Sequence, residues 1–147
     1  NQITLSLPTA TTLYVSTTKA VNHIGVIMKI ILKKQLEQLH RNHKQNATNL
    51  TPEIGYVQTP VKPVVKLFGG SSCTWLLTEL NPESNIAFGL CDLGHGTPEL
   101  GYVSLAELEA TKFPPFGLPI ERDRNWEADK TITEYASESR TLGYIKA

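Results

Sequence analysis

A run of short apolar segments separated by turn-forming residues constrains the fold of this 147-residue chain more than any other feature. Four such segments follow one another, at 64–68, 74–80, 86–91 and 99–103, and Gly, Ser, Asn, Asp and Pro are concentrated between them. Because connections this short join antiparallel neighbours, the pattern predicts a β-meander of about four to five strands. Residues 118–121 supply the additional strand.

Residues 29–44 precede the meander and have the spacing of an amphipathic helix. Three leucines and one histidine recur on one side of it: Leu32, Leu36, Leu39 and His43. On the other side, Lys33, Glu37 and Arg41 lie four residues apart, which predicts two ion pairs along the helix.

Two capping boxes after the meander predict two short C-terminal helices. Ser104 and Glu107 open one over 105–111, and Thr131 and Glu134 open another that ends near position 140. The chain is therefore predicted to be α+β, with an antiparallel β-meander, an N-terminal amphipathic helix and two short C-terminal helices.

The first 27 residues differ in composition from the rest, because they are rich in Thr and Ser and carry a single lysine. Alternating apolar residues between positions 3 and 7 favour a hairpin there. Met28 opens a segment of different composition. We therefore predict an N-terminal extension over 1–27 and a single domain over 28–147.

The location of the protein follows from what the sequence lacks. It contains no run of about 18 apolar residues that would span a membrane, and no secretory signal pattern. Cys73 and Cys91 are its only cysteines, which is not a disulfide framework. A cytoplasmic protein without a membrane partner is therefore predicted.

The net charge of zero hides an asymmetry between the two halves of the chain. Residues 1–72 contain eight Lys and Arg against two Glu, whereas residues 73–147 contain six against twelve acids. One interpretation is that the halves face each other within the fold. The other is that the basic half binds nucleic acid or that the acidic half binds a basic protein.

Several stretches of the chain resemble the bacterial domain-of-unknown-function family 2958. They read VVKLF (64–68), TWLLTEL (74–80), IAFGLCDLG (86–94), PELGYVSLAELE (98–109) and GLPIERD (117–123). MKIILKKQLEQL (28–39) is similar to the usual N-terminus of that family, which supports Met28 as a domain start. The resemblance covers about residues 28–135. After Asp123 the chain departs from the family pattern and reads RNWEA. Family members tend to have an aromatic residue in this stretch, and Trp126 takes its place here.

The resemblance implies a setting but no reaction, since the family is defined by its lack of an assigned activity. Its members are often encoded on plasmids and other mobile elements, near antirestriction and DNA-processing genes. The resemblance therefore implies an accessory or binding module of mobile genetic elements.

Four polar residues at strand ends or in the glycine-rich loop 92–98 form the first candidate site: Glu79, Asp92, His95 and Glu99. Carboxylate oxygens are the ligands that Mg²⁺ and Mn²⁺ prefer. If these residues converge on one ion with an open position, a metal-dependent hydrolase or nuclease follows. The alternative is a set of solvated loop residues. No H-E-x-x-H, EF-hand or P-loop pattern is present, so no cofactor is predicted apart from this conditional Mg²⁺ or Mn²⁺.

Cys91 and His95 offer a second arrangement, a thiolate–imidazole pair, which Cys73 would extend to a zinc site. The cysteines lack paired C-x-x-C spacing, and Cys91 ends an apolar strand. A packed thiol is therefore the favoured interpretation.

Basic residues provide the remaining candidates. Arg122 lies between Glu121 and Asp123, with Arg124 directly after them, so it either forms a structural salt bridge or contacts phosphate. The predicted N-terminal helix carries four further cations that can lie on a phosphate backbone: Lys33, Lys34, Arg41 and Lys44. The alternative is a solvated helix face, since no aromatic residue lies among them for stacking on bases.

Three function classes follow from these observations. Because no catalytic motif stands out, the leading hypothesis is a non-enzymatic accessory module that binds protein or nucleic acid. The second is a metal-dependent hydrolase or nuclease. The third is an inhibitor of a host defence nuclease that uses the acidic half as a nucleic-acid mimic, which a net charge of zero disfavours.

Overall fold

The computed structural model describes residues 30–48, 50–51, 55–56 and 61–147. The extension predicted over 1–27, its hairpin and the domain start at Met28 lie outside the described residues, as does much of the loop before residue 61. Within the described part, the predicted α+β class is confirmed, because a five-stranded antiparallel sheet is combined with three helices.

The predicted helices and strands occur in their predicted order, together with three two-residue strands that the sequence did not predict, at 50–51, 55–56 and 112–113. In chain order they are α1 (Lys33–Thr48), β1 (Leu50–Thr51), β2 (Gly55–Tyr56), β3 (Val65–Gly69), β4 (Cys73–Leu80), β5 (Ile86–Asp92), β6 (Glu99–Ser104), α2 (Leu105–Ala110), β7 (Lys112–Phe113), β8 (Leu118–Pro119), β9 (Glu121–Arg122) and α3 (Ile132–Leu142).

The predicted meander is the centre of the fold. Strands β3 to β6 pair with their chain neighbours, and the sheet order is β6-β5-β4-β3-β9, with every pair antiparallel. The last strand, β9, returns to the free side of β3, where Leu67 pairs with Arg122. The predicted strand at 118–121 is divided in two, because β8 forms a separate hairpin with β7 and only β9 joins the sheet.

Both faces of the sheet are covered, which explains why β4 is apolar along most of its length. Residues 75–80 of β4 are all buried. On one face, Trp75 and Leu77 pack with Leu39 of α1. On the other face, Leu76 packs with Ile132 of α3. The sheet is therefore the central layer of a helix–sheet–helix arrangement, and β4 is its middle strand.

A register shift between Leu77 and Glu79 interrupts the pairing of β4 with β5. Gly89 lies opposite Leu77, whereas Phe88 lies opposite Glu79, so Thr78 is the extra residue of a β-bulge. Bulges change the direction in which neighbouring side chains point, and here the neighbour is the buried carboxylate of Glu79.

Helix α1 begins and ends four residues later than its predicted span of 29–44. The carbonyl of Leu32 accepts the first helical bond, from the Leu36 N–H, and the Leu32 N–H donates to the Gln35 side chain. Leu32 is therefore a cap and is exposed, so its assignment to the apolar face is wrong. Ile31, fully buried just before the helix, packs into the core instead.

Both C-terminal helices begin at their predicted caps. The Ser104 hydroxyl accepts the Glu107 N–H at the start of α2. At α3, Thr131 and Glu134 form both bonds of a capping box, and Gly143 ends the helix with a φ of 81°. Such a left-handed position costs little for glycine.

Loss of the α3 cap should produce a measurable loss of stability. Replacing Thr131 with Ala removes the acceptor for the Glu134 N–H, 3.3 Å away, and is expected to lower the free energy of unfolding by about 1 kcal/mol. Urea denaturation measures this difference. Ser137→Ala, at an exposed position of the same helix, is the matched control. Equal midpoints for both variants would contradict the role of the cap.

Among the described residues, no helix combines the length and the apolar character that crossing a bilayer requires.

Candidate nucleic-acid interface

The solvent-facing side of α1 carries the four cations that the sequence singled out. Lys33, Lys34, Arg41 and Lys44 are all exposed. At 3.6 residues per turn, they fall within an arc of about 100° and extend about 16 Å along the helix. We call these four residues the basic stripe. One acidic residue, Glu37, lies within the same arc of the helix.

The ion pairs predicted within the stripe are not formed. Within residues 30–48 and the other described parts, no carboxylate lies in salt-bridge range of any of the four cations. Arg41 donates instead to the Gln38 side chain at 2.7 Å. Exposed i,i+4 pairs contribute only about 0.3–0.5 kcal/mol, which is too little to fix long side chains. The cations of the stripe are therefore exposed and are not neutralised by any carboxylate of the described residues.

The opposite side of α1 is fixed to the bulge in β4. The Asn42 amide donates to the Thr78 carbonyl at 2.9 Å, and both residues are buried. The Asn46 amide donates to the buried carboxylate of Glu79, whose other oxygen lies 3.4 Å from His43 Nδ1. These polar contacts set the rotation of α1 about its axis, so that the basic stripe points outward.

A groove of about 810 Å³ opens beside the first turns of α1. Its walls are α1, residues 61–64 and the loop 124–128. Backbone bonds hold these walls in place: Val64 donates to Leu77, Ile132 donates to Val61, and Asp123 donates to Lys66. The groove is continuous with the basic stripe, because Lys34 belongs to both.

Cations predominate over carboxylates in the groove. Lys34, Lys62 and Arg124 line it and are exposed, against the single carboxylate of Glu127. Four side-chain amides also line it: Gln35, Gln38, Asn42 and Asn125. Trp126 also lines it and is half-buried, with its ring centroid 6.2 Å from that of Tyr135. Such a lining suits an anionic ligand that also offers hydrogen-bonding edges.

The four residues of the predicted carboxylate cluster do not converge. Asp92 pairs with Thr74, and Glu79 pairs with Phe88, four residues from Asp92 on β5, so the two acids lie about 13 Å apart along the strands. Glu99 and His95 are exposed at the Asp92 end. Among the described residues, no three His, Cys, Asp or Glu side chains are grouped so that they could hold a metal ion.

The two buried acids of that set have structural contacts. Glu79 binds α1, as described above. Asp92, which is 4% exposed, accepts the Gly94 N–H at 2.9 Å and the Ile145 N–H at 3.2 Å. It thereby joins the glycine-rich loop to the C-terminal segment. These contacts explain why the strand ends carry acids.

The cysteines also have a packing role. Both are free thiols. Burial raises the pKa of the Cys91 thiol to about 11, so it is protonated at neutral pH, and its side chain packs against the core under α1. A nucleophilic thiolate at Cys91 is therefore disfavoured.

Arg122 lies apart from the basic stripe. It is half-buried in β9 and lines a cleft of about 480 Å³ together with Glu109 and Lys112. Arg124 lines both this cleft and the groove, so the two concavities are neighbours.

The carboxyl group of Glu109 should make stability depend on pH. Burial raises its pKa to about 7 from a usual value of 4.5. Between these values the folded chain binds more protons than the unfolded chain, so the free energy of unfolding falls as the pH rises. Glu109→Gln is expected to reduce this fall, measured by urea denaturation at about pH 5 and about pH 8. Parallel pH profiles for the two proteins would contradict it.

The two charge halves meet only in part. His43–Glu79 at 3.4 Å and Lys66–Asp123 at 3.6 Å join the basic half to the acidic half. Lys130–Glu138 at 3.0 Å lies within the acidic half. The facing-halves interpretation therefore accounts for some of the asymmetry but for none of the basic stripe.

Lys62 and Trp126 are candidate residues that the sequence did not single out as a site, whereas Arg124 was considered only together with Arg122. Lys62 lies in a segment read as loop, and Arg124 and Trp126 follow the point where the chain departs from the family pattern. In the sequence, all three residues lie near the end of a strand. That position does not predict that they lie next to α1.

Comparison with known proteins identifies one family. The model of the family described as "Protein of unknown function (DUF2958)" matches residues 30–146, nearly the whole chain. No curated protein and no solved structure matches.

Proposed function

Because the chain belongs to this family, which assigns it no activity, we propose from its own surface that it is a non-enzymatic module that binds nucleic acid. The basic stripe of α1 lies on the phosphate backbone. The observation that carries the proposal is that four exposed cations share one helix face and have no carboxylate partner within the described residues.

The geometry of the stripe suits a phosphate backbone. Duplex DNA carries one negative charge per about 1.7 Å of axis, so the roughly 16 Å length of the stripe meets several phosphates. Lys and Arg contacts of this kind position a protein without reading sequence. The proposed binding is therefore governed by charge and has little sequence specificity.

The positions of the acidic residues favour the nucleic-acid-binding proposal over the hypothesis that residues 73–147 mimic a nucleic acid. A mimic needs a continuous acidic surface, whereas several acids here are engaged within the fold. Glu79 and Asp92 are buried, Asp123 pairs with Lys66, and Glu138 pairs with Lys130. The separation of Glu79 from Asp92 likewise leaves the metal-dependent hydrolase without its ligand set.

The biological setting belongs to the same proposal. The family resemblance implies mobile genetic elements, where a charge-governed nucleic-acid module would serve DNA transfer or antirestriction as an accessory. Two free thiols and the lack of a spanning helix in the described residues support a cytoplasmic location.

Salt dependence of binding tests the proposal. Fluorescence anisotropy with a labelled random-sequence duplex should show binding at low salt that weakens as salt rises. Four phosphate contacts predict a slope of roughly −3 to −4 for the logarithm of the association constant against that of the salt concentration. Binding that is independent of salt, or no binding at low salt, would overturn the proposal.

A further inference from the structure

We propose that the groove beside α1 binds one unpaired nucleotide, with its phosphate held by the cations and its base stacked on Trp126. This inference rests on the proposed function and deepens it, because it names the part of a nucleic acid that enters the protein. The basic stripe needs only a backbone, whereas the groove needs a base that is free of its partner strand.

The charge of the groove selects an anion. Lys34 comes from α1, Lys62 from the segment before β3, and Arg124 from the loop after β9, so the three cations surround the groove from three walls. Glu127 is the single carboxylate in the lining. Arg124 has the planar donor fork that binds phosphate through two parallel hydrogen bonds.

Of the four side-chain amides in the lining, Gln35 and Asn125 have hydrogen-bond donors available for a ligand, whereas Gln38 and Asn42 do not. Gln38 and Asn42 bond to each other at 2.8 Å, and Asn42 also holds the Thr78 carbonyl, so both are committed to the fold. Gln35 accepts the Leu32 N–H through its oxygen, which leaves its NH₂ group available. The exposed Asn125 side chain forms no bond to another described residue. These two amides match the donor and acceptor edges of a base.

Trp126 supplies the aromatic surface in the lining of the groove. Its ring packs against the α3 side of the core and is tilted by 46° to Tyr135, so its position is fixed before a ligand binds. Because every base has a π face, stacking on a held indole is tolerant of sequence. In a duplex the base faces are already stacked, so the ligand is an unpaired nucleotide.

The volume of the groove agrees with such a ligand. At about 810 Å³ it lies within the range of about 300–1,000 Å³ that is usual for small-molecule sites. The nucleotide comes either from a single strand that continues along the basic stripe through Lys34 or from free solution.

Tryptophan fluorescence of the full chain tests the inference. The chain has two tryptophans, and Trp75 is 4% exposed, so quenching by a ligand reports on Trp126. Oligothymidylate and thymidine monophosphate are titrated separately. Quenching by the oligomer assigns a strand as the source, and quenching by the monophosphate alone assigns a free nucleotide. No quenching by either ligand overturns the inference.

A groove variant separates this inference from the proposed function. Arg124→Gln combined with Asn125→Ala, both at exposed positions, is expected to weaken single-strand affinity at least about five-fold and to leave duplex affinity unchanged. Arg140→Gln, an exposed cation on α3, is the matched control. A stripe variant such as Lys44→Gln tests duplex binding separately. If the groove variant keeps its single-strand affinity while the stripe variant loses duplex affinity, only the groove inference fails. If the stripe variant has no effect, the proposed function fails.

Discussion

A variant in which glutamine replaces all four stripe residues, Lys33, Lys34, Arg41 and Lys44, is expected to bind duplex roughly two to three orders of magnitude more weakly at low salt. Each cation that neutralises a phosphate releases a counterion, so the loss of four contacts removes most of the salt dependence as well. Anisotropy titrations at several salt concentrations measure both quantities. The fold should persist, because all four side chains point to solvent and none pairs with a carboxylate in the described residues.

A matched pair of single variants controls for net charge. Lys44→Gln removes one cation from the stripe, and Arg140→Gln removes one exposed cation from α3 on the opposite face of the sheet. The first should weaken binding several-fold and the second should not. Equal losses would mean that overall charge, and not the stripe, governs the interaction.

Gly89→Ala is expected to unfold the protein or to lower the free energy of unfolding by more than about 3 kcal/mol. A Cβ at this position would overlap the Leu76 carbonyl oxygen and would lie 2.9 Å from Leu77 Cα. The obstacle is backbone in the central strand, directly before the bulge, so rotation of a side chain cannot relieve it. Thermal unfolding measured by circular dichroism gives the result.

Gly101→Ala is the matched control for this substitution. Gly101 pairs with Gly89 across β5 and β6, yet a Cβ there meets nothing within 4 Å. The change should be neutral or stabilising by a few tenths of a kcal/mol, because Ala restricts the unfolded chain. A stable Gly89→Ala protein would show that the register at the bulge differs from the one described.

Much of the fold could be predicted because its signals are local. Strands β3 to β6 follow from short apolar runs between turn residues, and α2 and α3 begin at caps that are readable from two residues each. Strand β9 is only two residues long and pairs with β3 across a large sequence separation, which periodicity does not encode.

The site was less predictable because it depends on distances between elements. Glu79 and Asp92 both lie near strand ends, but they lie at opposite ends of the same strand pair, and spacing alone does not distinguish these cases. The basic stripe was predictable, since helical periodicity fixes its face. Two features could be seen only in the three-dimensional structure: the stripe forms no ion pair with the other described residues, and Lys62, Arg124 and Trp126 approach α1.

The measurement that tests nucleic-acid binding through α1 most directly is chemical-shift mapping on the ¹⁵N-labelled chain during titration with a short duplex at low salt. The proposal predicts that the shifts concentrate at Lys33, Lys34, Arg41 and Lys44 and leave the exposed side of α3 unchanged. Shifts concentrated on α3, or none at saturating duplex, would contradict it.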